Sequence, residues 1–408
     1  MTVAVDCAEP VGSRRFEDDV AFTGIGRSRR DRRLRRPWSV LAAEACRAAV
    51  SDAGLSRADI DGVCVYGGSS GLPGLSAGGV RGVEQALGLR PVWHCGARDV
   101  PGRMGPIVSA MLAVSAGLCR HVLCLAVPGG GGSRAGTWPA PTADGSQRGR
   151  SAEASSSLRR VALAASEYLT TFGHGREALG WVAVAARRHA ARNCDALCRT
   201  PLAMDRYLAA RMVASPLGRF DCAVPCDAAV ALVVSATDVC GHLPHPPVWI
   251  DAVGTRRLAA EETDLGLAGY RLAAEAPAAH LWSRASVVRQ DVDFVALDDT
   301  STFDALCWLE ALGFCAPGEA AEFVRDGTRI GPGGVLPLNP HGGELAAGRS
   351  DGYGGLYEAV LQLRGEAEER QIPNARAAVV SSGAAGPGAA MVLVSDSHPS
   401  TTRSWTRN

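Results

Sequence analysis

Apolar residues along the chain fall into two kinds of run. Short, β-branched stretches recur as VAFTGIG (20–26), GVCVY (62–66), HVLCLAV (121–127), AVALVVS (229–235), PVWIDAVGT (247–255), VDFVALDD (292–299), ARAAVVSSG (375–383) and AAMVLVSD (389–396). Such near-continuous hydrophobicity predicts strands buried on both faces. Between them, apolar positions three and four apart predict helices over 39–55, 105–119, 158–172, 176–194 and 302–313, the first and last stopped by Gly54 and Gly313. The small side chains of GPIVSAMLAVSAGLC (105–119) suit a tightly packed central helix. A further helix is predicted behind the glycine-rich loop GRSDGYGG (348–355).

Residues 128–157 break the pattern. They are rich in Gly, Pro, Ser, Thr and Ala without a hydrophobic period, which predicts a long surface loop. The GGGGSRAG within it lacks both the Lys-Ser/Thr and the following helix of a phosphate-binding loop. The succession of strands and helices before residue 240 begins again after 246. This weak duplication predicts an α/β architecture of two similar halves, 19–245 and 246–398, with flexible ends at 1–18 and 399–408.

Composition narrows the functional classes. The 408 residues are 47% hydrophobic, enough for a large core, and 42 basic side chains balance 42 acidic ones. That balance argues against a general nucleic-acid or anionic-membrane binder. Thirteen cysteines are scattered, and CDALC (194–198) and CAVPC (222–226) lack a second Cys/His pair at zinc spacing. Buried reduced thiols are expected rather than a metal site. No apolar run reaches the roughly 20 residues needed to span a bilayer. The opening residues lack the apolar stretch of a secretion signal, so a cytoplasmic protein without membrane contact is expected.

Several long stretches, in order, carry a family likeness. GIG followed by LAAEACRAAVSDAGLSRADIDGV, then PLGRFDCAVPCDAAVALVVS, LEALGFCAPGEAAEFVRDG, and LPLNPHGGELAAGR ahead of EAVLQLRGEAEERQIPNA together resemble the thiolase superfamily, in its lipid-transfer-protein or sterol-carrier-type branch. The resemblance implies a five-layer αβαβα sandwich of two similar halves, usually paired as a homodimer. It also implies a substrate carried as a coenzyme A or carrier-protein thioester, with no cofactor held by the chain itself. The basic loop GRSRRDRRLRRP (26–37) then faces either solvent or the phosphates of coenzyme A.

The reacting groups of a thiolase are not retained. The nucleophilic cysteine's place falls near Asp99 or Val100, Arg349 stands where a histidine acts, and Ser382 replaces the second cysteine. A serine hydroxyl cannot replace a thiol as acid and base without an activating partner. Cys95, with His94 beside it, is a displaced nucleophile only at an unusual strand geometry, because adjacent strand residues face opposite ways.

The string LAAGRSDGYGGLYEAVLQLRG is similar to the loop and helix of the steroid side-chain-cleaving aldolases of this branch. There tyrosines do the acid–base work, and a small OB-fold protein with a zinc ribbon is the partner. The resemblance puts Tyr353 at a catalytic position. Arg349, four residues earlier, is expected beside it, where a guanidinium favours the phenolate. Asn339 and His341 are expected as direct or water-mediated donors to a thioester oxygen. A second tyrosine of those aldolases is absent here: LDDTSTF offers Leu297 or Asp298, so Asp298 becomes the candidate general base. Asp351 stands where those enzymes have histidine, and with Asp298 and Asp299 it makes an acidic site. Asp299 and Asp351 serve equally as helix caps. The expected activity is aldol cleavage or formation on a β-hydroxyacyl thioester. The alternatives are a cysteine-independent acyltransferase of secondary metabolism and a non-catalytic scaffold subunit.

Overall fold

The structure, a computed structural model, describes residues 15–32, 34, 36–66, 75–96, 103–127, 145–256, 266–383 and 388–398. Among the described residues eleven strands follow in chain order: β1 Val20–Arg27, β2 Gly62–Tyr66, β3 Trp93–Gly96, β4 His121–Ala126, β5 Met212–Ala214, β6 Leu217–Gly218, β7 Val230–Ala236, β8 Val248–Thr255, β9 Phe294–Ala296, β10 Ala377–Ser382 and β11 Ala389–Val394. β5 and β6 form a small hairpin, and the other nine make one sheet in the order β3-β2-β4-β7-β1-β8-β11-β10-β9.

The duplication expected from the sequence is visible in that order. In each half the opening strand lies antiparallel to the closing one, β1 against β7 and β8 against β11. Next comes a parallel pair, β4–β2 in the first half and β10–β9 in the second. The halves meet where β1 and β8 pair antiparallel, at Ala21↔Trp249 and Phe22↔Val248.

One shared layer of helices sits between the halves. Ile107, Met111 and Val114 of helix Gly105–Ser115 and Leu356, Val360 and Leu363 of helix Tyr353–Arg364 join one apolar cluster with strands of both halves. The other face of the first half is covered by Leu41, Ala45 and Ala49 of helix Trp38–Asp52. Tyr270, Leu281, Phe303 and Trp308, from helices Gly266–Arg284 and Thr302–Ala311, cover the outer face of the second. The two halves of the one sheet thus supply two of five layers, with helices outside each half and between them. Glycine permits the closest contact at matching places: a Cβ at Gly24 of β1 would lie 2.3 Å from the Ala49 carbonyl, and one at Gly254 of β8 would lie 2.1 Å from that of Pro277.

Two boundaries differ from expectation. A helix starts at Gly145 and runs to Phe172, so the loop expected over 128–157 ends by 144. GSQRGRSAEA holds helix formers without an apolar stripe, and helix propagates through such a segment once the amphipathic part that follows is anchored. Residues 128–144 lie outside the described residues. Residues 15–18, expected as part of a flexible end, are fastened: buried Glu17 accepts from Arg284 Nη2 at 2.6 Å, and Arg15 Nη1 donates to the Arg284 carbonyl at 2.8 Å. Among the described residues no helix is long and apolar enough to cross a membrane.

His189, buried in helix Glu177–Ala191 against the Ile330 carbonyl, makes stability depend on pH. Burial pushes its imidazole down from 6.5 to about 4. As pH falls below 6.5, the unfolded chain binds a proton that the folded chain refuses, so stability falls until about pH 4. The loss from this group is on the order of 3 kcal/mol. Urea unfolding at pH 7.5 and pH 5 is expected to show it, and His189→Gln is expected to flatten the difference.

Candidate active site

The glycine-rich loop folds around a buried carboxylate. Glu344, in the short helix Gly343–Ala346, accepts from the backbone N–H groups of Ser350 at 3.2 Å and Gly352 at 2.9 Å through Oε1. Asp351 (φ 51°) and Gly352 (φ 88°) both take the left-handed conformation as the chain turns into helix Tyr353–Arg364. The turn leaves no room at Gly352, where a Cβ would lie 2.5 Å from Ser382 Oγ. Gly352→Ala is therefore expected to cost about 1–2 kcal/mol. A lowered urea midpoint together with lost product formation would show that this turn sets the site.

Tyr353 opens the helix with its ring fully buried. Its hydroxyl has no hydrogen-bond partner among the described residues. It stacks on Tyr66, the last residue of β2, with ring centroids 6.0 Å apart and planes 15° from parallel. The expected pairing with Arg349 does not form. Arg349 leaves the chain ahead of the helix, and its Nε donates to Asp351 Oδ1 at 2.8 Å. Burial, with Cys124 and Cys64 nearby, pushes the Tyr353 phenol well above its usual range instead of lowering it.

Two arginines and a set of carboxylates surround this pair. Arg103, just ahead of helix Gly105–Ser115, donates through Nη1 to Asp298 Oδ2 at 2.9 Å and Thr300 Oγ1 at 3.1 Å. Burial opposes its charge, but Asp298, Asp351 and Glu344 more than offset that and hold it well above its usual range. Asp298 has further partners: Gly383 N–H at 2.5 Å on Oδ2 and Thr300 N–H at 2.8 Å on Oδ1. Asp351 is buried, yet Arg349 and Arg103 keep it below the usual carboxylate range. Asp299 is different: burial and Glu344 push it well up. Its oxygens accept from the N–H groups of Glu344 at 2.7 Å and Leu345 at 3.4 Å, so it caps that short helix.

Asn339 and His341 lie beside a cavity of ≈ 10 Å³, also lined by Asp298, Glu344, Gly352 and Ser381. That is about the room one water needs. Asn339 Nδ2 donates to the Leu297 carbonyl at 3.0 Å, leaving Oδ1 buried without a partner among the described residues. His341 Nδ1 is likewise buried and unpartnered there. Burial, then Arg30 and Arg370, depress this imidazole far enough to keep it neutral at physiological pH.

The loop thus gathers Tyr353, Arg349, Asp298, Asn339, His341 and Ser382 into one region. Ser382, at the end of β10, donates its hydroxyl to the Asp351 carbonyl at 3.4 Å. Asp99 and Val100 fall outside the described residues. Cys95 lies in register with Cys64 on β2, and hydrogen bonding to that thiol, with burial, pushes its pKa far up. That is the opposite of an activated thiolate. Among the described residues no group of three His, Cys, Asp or Glu side chains is placed to hold a metal ion. Sequence reasoning missed Tyr66, Arg103 and Glu344. Only Tyr66 carried a signal, as a polar residue ending an apolar strand run.

Known proteins share this architecture. The family description "Thiolase C-terminal domain-like" matches residues 255–395. A steroid side-chain-cleaving aldolase from Thermomonospora curvata is 30% identical over 402 residues, covering 92% of this chain and 98% of that protein. A 17-hydroxy-3-oxo-4-pregnene-20-carboxyl-CoA lyase from Mycobacterium tuberculosis is 29% identical, covering 91% and 98%. The solved Ltp2-ChsH2(DUF35) aldolase superposes with a TM-score of 0.79 at 27% identity, over 93% of this chain and 98% of that one. Human mitochondrial 3-ketoacyl-CoA thiolase, at 16% identity and a TM-score of 0.67 over 94% and 100% of the two chains, shares the fold. The fold is that of the thiolases. The chain belongs to the thiolase superfamily, in the branch that holds the steroid side-chain-cleaving aldolases and the sterol-carrier-type thiolase-like proteins.

Proposed function

We propose that the chain is a carbon–carbon lyase, an aldolase that cleaves or forms the Cα–Cβ bond of a β-hydroxyacyl thioester. The observation that carries this reading is Tyr353: a buried phenol without a hydrogen-bond partner among the described residues, on a charged loop where Arg349 stands in the place of the thiolase histidine. In the cleavage direction the β-hydroxyl proton leaves to water as the Cα–Cβ bond breaks, and water later returns a proton to Tyr353. The bonding pair moves onto Cα as a thioester enolate while the β-carbon becomes a carbonyl. The Tyr353 hydroxyl then gives its proton to Cα. Neutral His341 and a water on Asn339 Oδ1 supply donors to the enolate oxygen. Arg103, Gly383 and Thr300 occupy the Asp298 oxygens. Asp298 therefore anchors Arg103 and is poorly placed as an open base.

The substrate form is a coenzyme A thioester, as for the carboxyl-CoA lyase relative. The solved aldolase relative is an Ltp2-ChsH2(DUF35) pairing. By analogy the working form here is a homodimer joined to a small OB-fold partner with a zinc ribbon. The test incubates the protein, alone and with such a partner, with acyl- and β-hydroxyacyl-CoA thioesters, following intact mass and small molecules in the same tube. A shortened acyl-CoA plus a carbonyl fragment, with unchanged protein mass, is expected. An acyl adduct on Cys95 or Ser382 would instead establish acyl transfer.

A further inference from the structure

We infer that the chain holds a second binding site, away from the reaction centre, that takes a medium-chain aliphatic carboxylate. The inference is independent of the aldolase reading. The site is a cavity of ≈ 300 Å³ on the outer face of the first half, between the C-terminal ends of helix Trp38–Asp52 and helix Leu75–Leu87. Leu123 of β4 forms its floor, and Val50, Leu55, Leu87 and Leu89 form its walls. Ligand pockets begin at about this size, and a cavity of about half the volume takes benzene. Arg47, Ser51, Ser56 and Arg57 stand at the mouth, all four exposed.

The fold holds this cavity open. Helix Trp38–Asp52 cannot sink further onto the sheet, because its other face already touches β1: a Cβ at Gly26 would lie 2.2 Å from the Ala45 carbonyl. Its last turn is tied down as well. The Ile25 N–H donates to Asp52 Oδ2 at 2.9 Å, and Arg364 Nη1 donates to the same oxygen at 2.8 Å. With the helix fixed, the apolar walls stay apart, and an aliphatic chain entering between them leaves water. The cavity is also separate from the reaction centre. Successive strand residues face opposite ways, so Leu123 joins the outer apolar cluster while Cys124 joins the central one and lies near Tyr353. The sheet thus stands between the cavity and the glycine-rich loop, and its occupant is not the acyl group under reaction.

The mouth sets the charge of the occupant. Arg47 has no hydrogen bond or ion pair among the described residues, and Glu44, three positions earlier, is taken by Arg36 at 2.6 Å. Arg57 Nη1 donates to the Leu87 carbonyl at 3.2 Å, which draws its guanidinium across to the opposite rim. Asp59, on the same turn as Arg57, is occupied by the N–H and the hydroxyl of Ser56, both at 2.7 Å. Two guanidinium groups therefore flank an apolar cavity, and neither is paired with a carboxylate. A carboxylate on an aliphatic chain answers both features: guanidinium groups bind carboxylates through charge-assisted hydrogen bonds, while the chain fills the leucine-lined space.

Isothermal titration of the full chain with hexanoate, octanoate and decanoate tests the site, with 1-octanol and octylammonium as uncharged and cationic controls. One octanoate per chain is expected, bound more tightly than either control. Affinity is expected to rise about fourfold for each added methylene until the cavity is full. Arg47→Gln is expected to weaken octanoate about fivefold and leave octanol unchanged. Ser51→Phe places a ring across the exposed mouth and is expected to abolish octanoate binding, with the urea midpoint of the wild type retained. Octanoate that binds Ser51→Phe as well as wild type sits elsewhere, which overturns the assignment. Octanol binding as tightly as octanoate would overturn it too, because the arginines would then read no charge. So would the absence of saturable heat at millimolar octanoate. None of these readouts involves turnover, so a failure here leaves the aldolase reading intact, and a failure to cleave any thioester leaves this site intact.

Discussion

Tyr353→Phe is expected to abolish carbon–carbon bond cleavage while leaving the fold as stable as before, or more so. The side chain is fully buried and its hydroxyl has no partner among the described residues. An unsatisfied buried polar group costs about 1–3 kcal/mol. Removing the oxygen while keeping the ring preserves the stack on Tyr66 and relieves part of that cost. A residue selected for packing alone would be phenylalanine here. The loss in kcat is expected at about 10²–10⁴-fold, the usual worth of a positioned proton donor. Urea unfolding and product analysis on the same preparation check both parts. A variant with full activity, or one that loses activity only because it unfolds, would remove Tyr353 from the chemistry.

Arg103→Met is expected to be among the most destabilising single changes in the protein. Its guanidinium joins Asp298 across the two halves and lies among Asp351 and Glu344 as well. Removing one partner of a buried ion pair strands the other charge, at about 3–5 kcal/mol. The deficit has a predicted pH dependence. Burial and Asp298 raise the folded pKa of Glu344 above 4.5, and Arg103 opposes that rise. A raised carboxylate costs stability as pH climbs above the unfolded value, because the folded chain holds a proton that the unfolded chain has released. Without Arg103 this cost grows. The gap between variant and wild type is expected to be wider at pH 8 than at pH 5, as read by urea midpoints at each pH. A gap that widens toward pH 5 would contradict the assignment.

The strands were legible because burial on both faces leaves a plain mark: Val230–Ala236 and Ala389–Val394 read as apolar runs and are buried almost throughout. The repetition of topology was legible for the same reason. Helix Gly145–Phe172 was not legible at its start, since 145–157 shows no apolar stripe. Within the site, the glycine-rich loop stood out by composition, and the likeness to a known family supplied Tyr353. Geometry supplied what no local string contains. Arg103 and Asp298 lie 195 positions apart, and topology alone brings them to 2.9 Å. Glu344, which nothing in its local string marks out, binds the loop's N–H groups. Arg349 and Tyr353 have helical spacing, but the left-handed turn at Asp351 and Gly352 sends their side chains to different partners.

The division of the site between the two halves has a consequence for the gene. Tyr66 and Arg103 come from before the join at 240–246, and Asp298, Glu344, Arg349 and Tyr353 from after it. The halves also meet through the β1–β8 pairing and the Arg364–Asp52 ion pair at 2.8 Å. A coding sequence cut within Thr237–His242 would yield two polypeptides, neither holding a complete reaction centre. Turnover would return only on complementation, and its dependence on fragment concentration would measure how tightly one half recognises the other.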